Sequence, residues 1–589
     1  MTSVDINALF GRAERAFQVR EFEAARRDLL AVLRSLGEHP QVLHLLALTE
    51  QSLGRLDMAA DAFRRGLRLA PRDGQINNNY ANLLAALGDD DTALRHFEVA
   101  VAVDPGAFDP RYNRALLLQR RGAVEAALAD VDRLLVGWPH DPRLWEARGS
   151  ANRQRGDLPA AAQDFARALA LGPDRAVALH GAARVALERG DPQAAAYYAR
   201  ARAAAPDDPA LVLGLAEALE ANGDPAGMTM LADQLSRNPD WIDGQDSLAR
   251  MRAEAADPDD FARGYADAVA RQPDNRSLHF AYWRCLARGD RQRDALAALD
   301  RALGRFAPDG ELALIEAALA SEAGDLDRAD RAFLRAGDGP QAALALGRHM
   351  LRRGDPVRAA GLLEPIARAD LTNVTAWAHL ALAWRLTVDP RHTWLCGQPG
   401  LFGATELDLT PDELAVLATR LRDLHRTRAH PIGQSLRGGT QTRGRLLTRE
   451  EPIIARLREC LRHAVAGHVS AMPPADASHP LLRHRGHRLA FAGSWSVRLR
   501  AGGFHVHHIH PEGVLSSACY VALPESLGPD RDGWLEIGAA PVELGLDLPP
   551  LTSIEPQPGR LALFPSYMFH GTRPFGAGER LTVAFDVTA

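Results

Sequence analysis

The stretch Gly88-Asp-Asp-Asp-Thr-Ala93-Leu-Arg-His-Phe97-Glu-Val-Ala100-Val-Ala-Val-Asp-Pro105 is one turn of a pattern that repeats along the chain. Its glycine recurs at Gly54, Gly88, Gly122, Gly156 and Gly190, each 34 residues after the last, and its proline at Pro71, Pro105, Pro139 and Pro173. A small residue and an aromatic keep the same register, as Ala59 with Phe63, Ala93 with Phe97 and Ala161 with Phe165. A fixed period of this length marks a solenoid, in which each unit buries its apolar face only against its neighbours. Within a unit the glycine suits the turn between two helices, alanine lets the helices approach, and proline ends the second helix.

Past Gly223 the register loosens, but Gly-Asp turns at Gly289, Gly324 and Gly354 extend the helical array, in degenerate form, to about residue 390. Pro390, Gly397, Pro399, Gly400 and Gly403 then break any helix, so residues 391–409 are expected to be a linker. Thr410-Pro-Asp-Glu413 and Thr448-Arg-Glu-Glu451 each read as a capping box opening a helix. From Leu489 onward short alternating runs predict strands at 491–500, 504–510, 514–523, 534–537, 560–564 and 581–587. Two helices followed by many short strands predict an α+β domain over 410–589 whose strands form a barrel or sandwich.

Phe504-His-Val-His-His-Ile-His-Pro511 packs four imidazoles into six residues, and His570 follows alone. Alternate residues of a strand share a face, so His508 and His510 can present two nitrogens to one metal ion, with His570 brought in by a later strand. Open coordination positions and imidazole donors suit Fe(II). Arg580, followed by Thr582, can hold a carboxylate by a bidentate, charge-assisted contact. Arg498 and Tyr520 occupy inward-facing strand positions near the same site, while Ser566 and Arg573 flank His570. Glu512 and His505 are the alternative ligands, although Pro511 constrains the pleat between His510 and Glu512.

The 34-residue pattern resembles the tetratricopeptide repeat. The motifs Gln434-Ser-Leu-Arg-Gly-Gly-Thr-Gln-Thr442, Ser494-Trp-Ser-Val-Arg-Leu499, Phe504 to Pro511 and Leu563-Phe-Pro-Ser-Tyr-Met-Phe-His570 together resemble a bacterial family of 2-oxoglutarate- and Fe(II)-dependent oxygenases often fused to such repeats. The resemblance implies a multidomain chain: an all-α tetratricopeptide superhelix over 1–390, then an α+β domain over 410–589 with a double-stranded β-helix, or jelly-roll, core. It further implies an iron site at His508, His510 and His570, with Arg580, Thr582, Tyr520 and Arg498 toward 2-oxoglutarate. One position departs from the family pattern: His510 stands where Asp or Glu is usual. The implied activity is a dioxygenase that hydroxylates a protein, peptide or other substrate recruited by the repeats. The competing reading is a non-catalytic repeat scaffold with a degenerate metal-binding β-helix module.

Composition narrows the field. All 69 basic residues are arginine, which excludes Schiff-base chemistry and a P-loop lysine. A formal charge of −6 offers no footprint for nucleic acid or an anionic membrane surface. Cys285, Cys396, Cys460 and Cys519 lie far apart, against both a disulfide framework and a zinc ribbon. With no apolar run of spanning length, a cytoplasmic protein is expected.

Overall fold

A computed structural model describes residues 6–256, 261–487 and 489–589. By internal contacts the chain divides into two units, Met1–Val185 and Ala186–Ala589.

The first unit is a row of antiparallel helix pairs, as the 34-residue period predicts. The helix Gly74–Ala86 stops at Leu87, and Gly88 follows with φ +86°, a left-handed conformation that costs glycine little. Asp89 then caps the helix Asp90–Val103 by accepting from the Thr92 backbone N–H. The register residues Ala59, Phe63, Ala93 and Phe97 are all buried in one cluster with Tyr80. The asparagine-rich helix is partly structural: Asn77 donates to the carbonyls of Pro71 and Asp73, and its carbonyl oxygen meets His96.

In the second unit helix pairs continue through Pro340–Arg352, Pro356–Ala369 and Val374–Leu386. Nine strands follow: β1 (Gly403–Glu406), β2 (Leu436–Gln441), β3 (Ala490–His505), β4 (Leu515–Ala522), β5 (Leu535–Ile537), β6 (Thr552–Ile554), β7 (Arg560–Pro565), β8 (His570–Thr572) and β9 (Arg580–Thr588). They form an antiparallel sheet in the order β1-β7-β4-β9-β3-β2 and a smaller one in the order β6-β5-β8. A cavity of about 670 Å³ is lined from both sheets, the enclosure expected of a jelly-roll core.

Three local readings differ from the structure. Residues 391–409, expected as a linker, carry the helix Arg391–Cys396 and strand β1, which pairs with β7 as the edge of the larger sheet. Glycines and prolines there mark turns between short elements rather than a tether. The capping box at Thr410 and Glu413 is present, but that expected at Thr448 is not: the second helix starts at Pro452, where proline at the first turn needs no amide partner. Residues 504–510 are not one strand either, because β3 ends at His505 and only His508 pairs onward.

The last repeat helix and the β domain share one core. Trp377 and Trp384 of Val374–Leu386 are buried together with Leu395, Leu401, Leu417, Leu457, Leu563 and Phe585. Arg385 donates to the Gly538 carbonyl at 2.8 Å, and Tyr567 to that of Leu395 at 2.7 Å. Earlier repeats of this unit also touch the β domain: Arg443 pairs with Glu220 and Glu254, and the Arg445 amide donates to the Glu188 carbonyl. Among the described residues no helix is long and apolar enough to cross a membrane.

Two predictions follow from this shared core. Burying each large apolar side chain is worth about 2–3 kcal/mol, so a fragment starting at residue 405 should aggregate, whereas one starting near residue 174 should be soluble and melt cooperatively. Size-exclusion chromatography and calorimetry of the two fragments check this. The second concerns acid. Burial pushes His379 down to about 3 and His425 and His479 to about 4, all from an ordinary value of 6.5. The folded unit keeps them neutral while the unfolded chain protonates them, so their stability contribution is complete above pH 6.5 and is lost as pH falls from 6.5 toward 4. By linkage each should remove on the order of 2 kcal/mol at pH 5. Urea midpoints at pH 7 and pH 5 measure it, and equal midpoints would contradict these neutral histidines.

Candidate metal centre

The three histidines meet because the backbone pairs them. His508 and His570 form an isolated antiparallel bridge, each amide donating to the other's carbonyl at 2.9 and 3.0 Å. His510 lies two residues on, on the same side of the chain. Among the described residues His508, His510 and His570 are the group whose donor atoms all lie within 4.8 Å of one another. Phe564 packs on His570 with ring centroids 4.4 Å apart, and Trp495 flanks His510 at 5.6 Å.

Each ring is held by its Nδ1. That of His508 donates to the Val506 carbonyl at 2.8 Å and that of His570 to the Met568 carbonyl at 3.0 Å. His510 Nδ1 donates to Asp586 Oδ1 at 2.5 Å, and Asp586 also accepts from Ser516 Oγ at 2.9 Å. With a proton on Nδ1, each Nε2 turns its lone pair inward, and Ser435 Oγ stands 3.1 Å from His508 Nε2. The Nε2 atoms of His508 and His510 nevertheless stand 3.0 Å apart. Two lone pairs that close repel unless a cation lies between them, so the pair fits a metal ion that His508 and His510 would hold together. Burial, reinforced by His510, pushes His508 down to about 3, and burial with His508 and His510 holds His570 well below its usual value. Both are neutral, as ligation requires.

The remaining expected residues divide between the cavity and its surroundings. Strand alternation sends Arg580, Thr582, Ala584 and Asp586 of β9 to the cavity, and Leu581, Val583, Phe585 and Val587 to the core. Arg580 is fully buried and among the described residues has no carboxylate partner: its guanidinium donates to the Gly533 carbonyl at 2.7 Å and Thr572 Oγ1 at 3.0 Å, and Nε meets no acceptor there. Tyr520 also lines the cavity with its hydroxyl unpartnered, and burial pushes it up to about 12. An uncompensated guanidinium beside orphaned polar atoms fits an anionic ligand.

Arg498 differs from expectation. Trp495 and Val497 take the cavity side of β3, which turns Arg498 to the far face, where it pairs with Glu579. His505 lies outside the triad, its Nδ1 3.0 Å from Ser435 Oγ and its amide bonded to Thr572 Oγ1. Glu512 is exposed at the cavity rim. Ser566 bonds Ser516 at 2.9 Å, and Arg573 donates to the Asp530 carbonyl. Sequence reasoning missed Asp586, Thr572 and Ser435. Asp586 had a signal, since it stands in phase with Arg580 and Thr582 on one strand. Ser435 lay within the motif Gln434–Thr442 without a role read from it, and Thr572 had no signal, because both roles depend on neighbours distant in sequence.

A family model described as "Putative 2OG-Fe(II) oxygenase" matches residues 493–586, and tetratricopeptide models match 125–186, 44–110 and 180–227. No curated protein matches the chain. Solved structures similar to its helical part include a tetratricopeptide repeat protein from Parabacteroides merdae (17% identity, 41% of this chain and 97% of that one, TM-score 0.35). Yeast Tom70 is another (15% identity, 66% and 96%, TM-score 0.34), as is Pseudomonas aeruginosa pilF (18%, 35% and 94%, 0.32). The chain therefore carries tetratricopeptide repeats within residues 44–227 and, at residues 493–586, a C-terminal segment that matches the model described as a putative 2OG-Fe(II) oxygenase.

Proposed function

We propose that the protein is a 2-oxoglutarate- and Fe(II)-dependent dioxygenase that hydroxylates a protein, peptide or other substrate recruited by its repeats. The observation that carries this reading is the convergence of three Nδ1-anchored imidazoles on one point in a cavity whose wall holds the uncompensated Arg580. His508, His510 and His570 would hold the metal and Arg580 the distal carboxylate of the co-substrate, with Tyr520 and Thr582 beside it. The chemistry such a pair supplies when bound is oxidation of a C–H bond by dioxygen, coupled to decarboxylation of the co-substrate.

The chain's own residues then have defined tasks. Three neutral imidazoles bring no negative charge to a divalent ion, and Asp586 makes up part of that deficit through the His510 ring, raising the basicity of Nε2. Ser516 keeps the Asp586 carboxylate aligned. Val506 and Met568 carbonyls fix the other two rings. Arg580 gives orientation and charge balance, while Phe564 and Trp495 keep water from the metal side of the cavity.

Measured as Mn(II) affinity, His508→Ala and His570→Ala should abolish binding, while His505→Ala and Glu512→Ala should leave it nearly intact. Loss on changing Glu512 would make that residue a ligand. Asp586→Asn keeps the shape but removes the charge and should weaken Mn(II) by roughly 10–100-fold. With Fe(II), air and 2-oxoglutarate, the chain should release succinate, and Arg580→Ala should stop it. A chain that binds metal yet yields no succinate under any of these conditions is the non-catalytic scaffold instead.

A further inference from the structure

Arg580 is not alone in the cavity in lacking a full counter-charge. The repeat helix Pro340–Arg352 contributes Arg348 and Arg352 to the same cavity. Four residues apart on one helix, they share a face and repel. Arg352 donates to Ser321 Oγ at 3.1 Å and to the Glu543 carbonyl at 3.3 Å; no carboxylate among the described residues forms an ion pair with it, although Glu322 and Glu543 lie near enough to favour its charge. Arg348 touches Glu322 at 3.4 Å, and its Nε is buried without a partner. His379, on the neighbouring helix and the same wall, is neutral and offers no compensation. The nearby Glu543 side chain is exposed, and Asp290 is taken by Arg437.

The cavity therefore has two cationic loci, one at Arg580 and one at Arg348 and Arg352. A single co-substrate accounts for the first. Arg352 is half-buried and makes no ion pair among the described residues, and Arg348, its side chain 37% exposed, keeps only the long contact to Glu322, so both retain capacity for an anion, and a guanidinium fork matches the two oxygens of a carboxylate or phosphate. A volume of about 670 Å³ has room for the co-substrate and a further small group.

We propose that Arg348 and Arg352 form a second oxyanion site, which receives a carboxylate or phosphate on the substrate while the carbon to be oxidised faces the histidines. The proposal rests on the oxygenase reading for the role of that site, and it makes the last repeats part of the active cavity rather than a remote docking arm.

The test needs neither metal nor turnover. In the full-length, metal-free chain carrying Arg580→Gln, which removes the first locus, inorganic phosphate and succinate are titrated by calorimetry. Saturable binding of at least one is expected. The tighter of the two identifies the substrate group as phosphate or carboxylate. Adding Arg348→Gln or Arg352→Gln should weaken that binding about tenfold, the order of one lost charge-assisted hydrogen bond, and Arg352→Lys should fall between. Arg352 also ties Ser321 to Glu543, so its variant is paired with a melting curve. Arg348→Gln loses only a long contact to Glu322 and carries the test if Arg352→Gln unfolds. Absence of saturable binding, or unchanged affinity in Arg348→Gln, overturns the proposal. Failure of Mn(II) binding or succinate release would instead sink the oxygenase reading and leave this titration valid.

Discussion

The two-residue alternation of β9 is the constraint on which the rest of the second unit depends. One strand, paired with β4 on one side and β3 on the other, divides Arg580 to Val587 into two sets. Arg580, Thr582 and Asp586 reach the cavity, and Leu581, Val583, Phe585 and Val587 reach the core. A slip of one residue would bury Asp586 in apolar surroundings and expose four core side chains, so register and site are fixed by the same packing. That packing includes Trp377 and Trp384, so the last repeat helix and the β domain share one core.

Much of this was legible in the sequence because it is periodic. Glycine at a 34-residue step identified the helix pairs, since only glycine sits easily at the positive φ found at Gly88. His508 and His510 were named because imidazoles at two-residue spacing on a strand are an uncommon pattern with a chemical meaning, and the fold brings them to the lone His570. Tyr520 was named by strand phase, and Arg580 by its guanidinium chemistry and the family resemblance. The phase argument failed at Arg498, which pairs across from core-facing Leu581, while Trp495 and Val497 take the cavity side.

What could not be read is what depends on partners far away in the chain. The segment 391–409 looked like a tether because composition registers its glycines and prolines but not the pairing of β1 with β7. The repeats past Gly223 looked like a degenerate array, and their loosened register has a physical counterpart. Glu220, Glu254 and Trp384 answer to contacts with the β domain, so they are no longer bound to the spacing that identical neighbours impose.

The same logic bears on the missing carboxylate ligand. A His-x-Asp pair would place an anion directly on the metal, whereas here the anion stands one hydrogen bond further out, at Asp586, on a different strand from the ring it supports. A carboxylate at that distance screens less of the metal's charge. The cavity is correspondingly left more positive at the centre, with Arg580 on one wall and Arg348 and Arg352 on another, and in a low-dielectric enclosure these fields add. Such a site favours ligands that bring negative charge with them. The departure at His510, the uncompensated Arg580 and the sparse acidic pairing of Arg348 and Arg352, whose nearest carboxylates are Glu322 and the exposed Glu543, thus belong to one electrostatic arrangement that suits the anionic ligands proposed above.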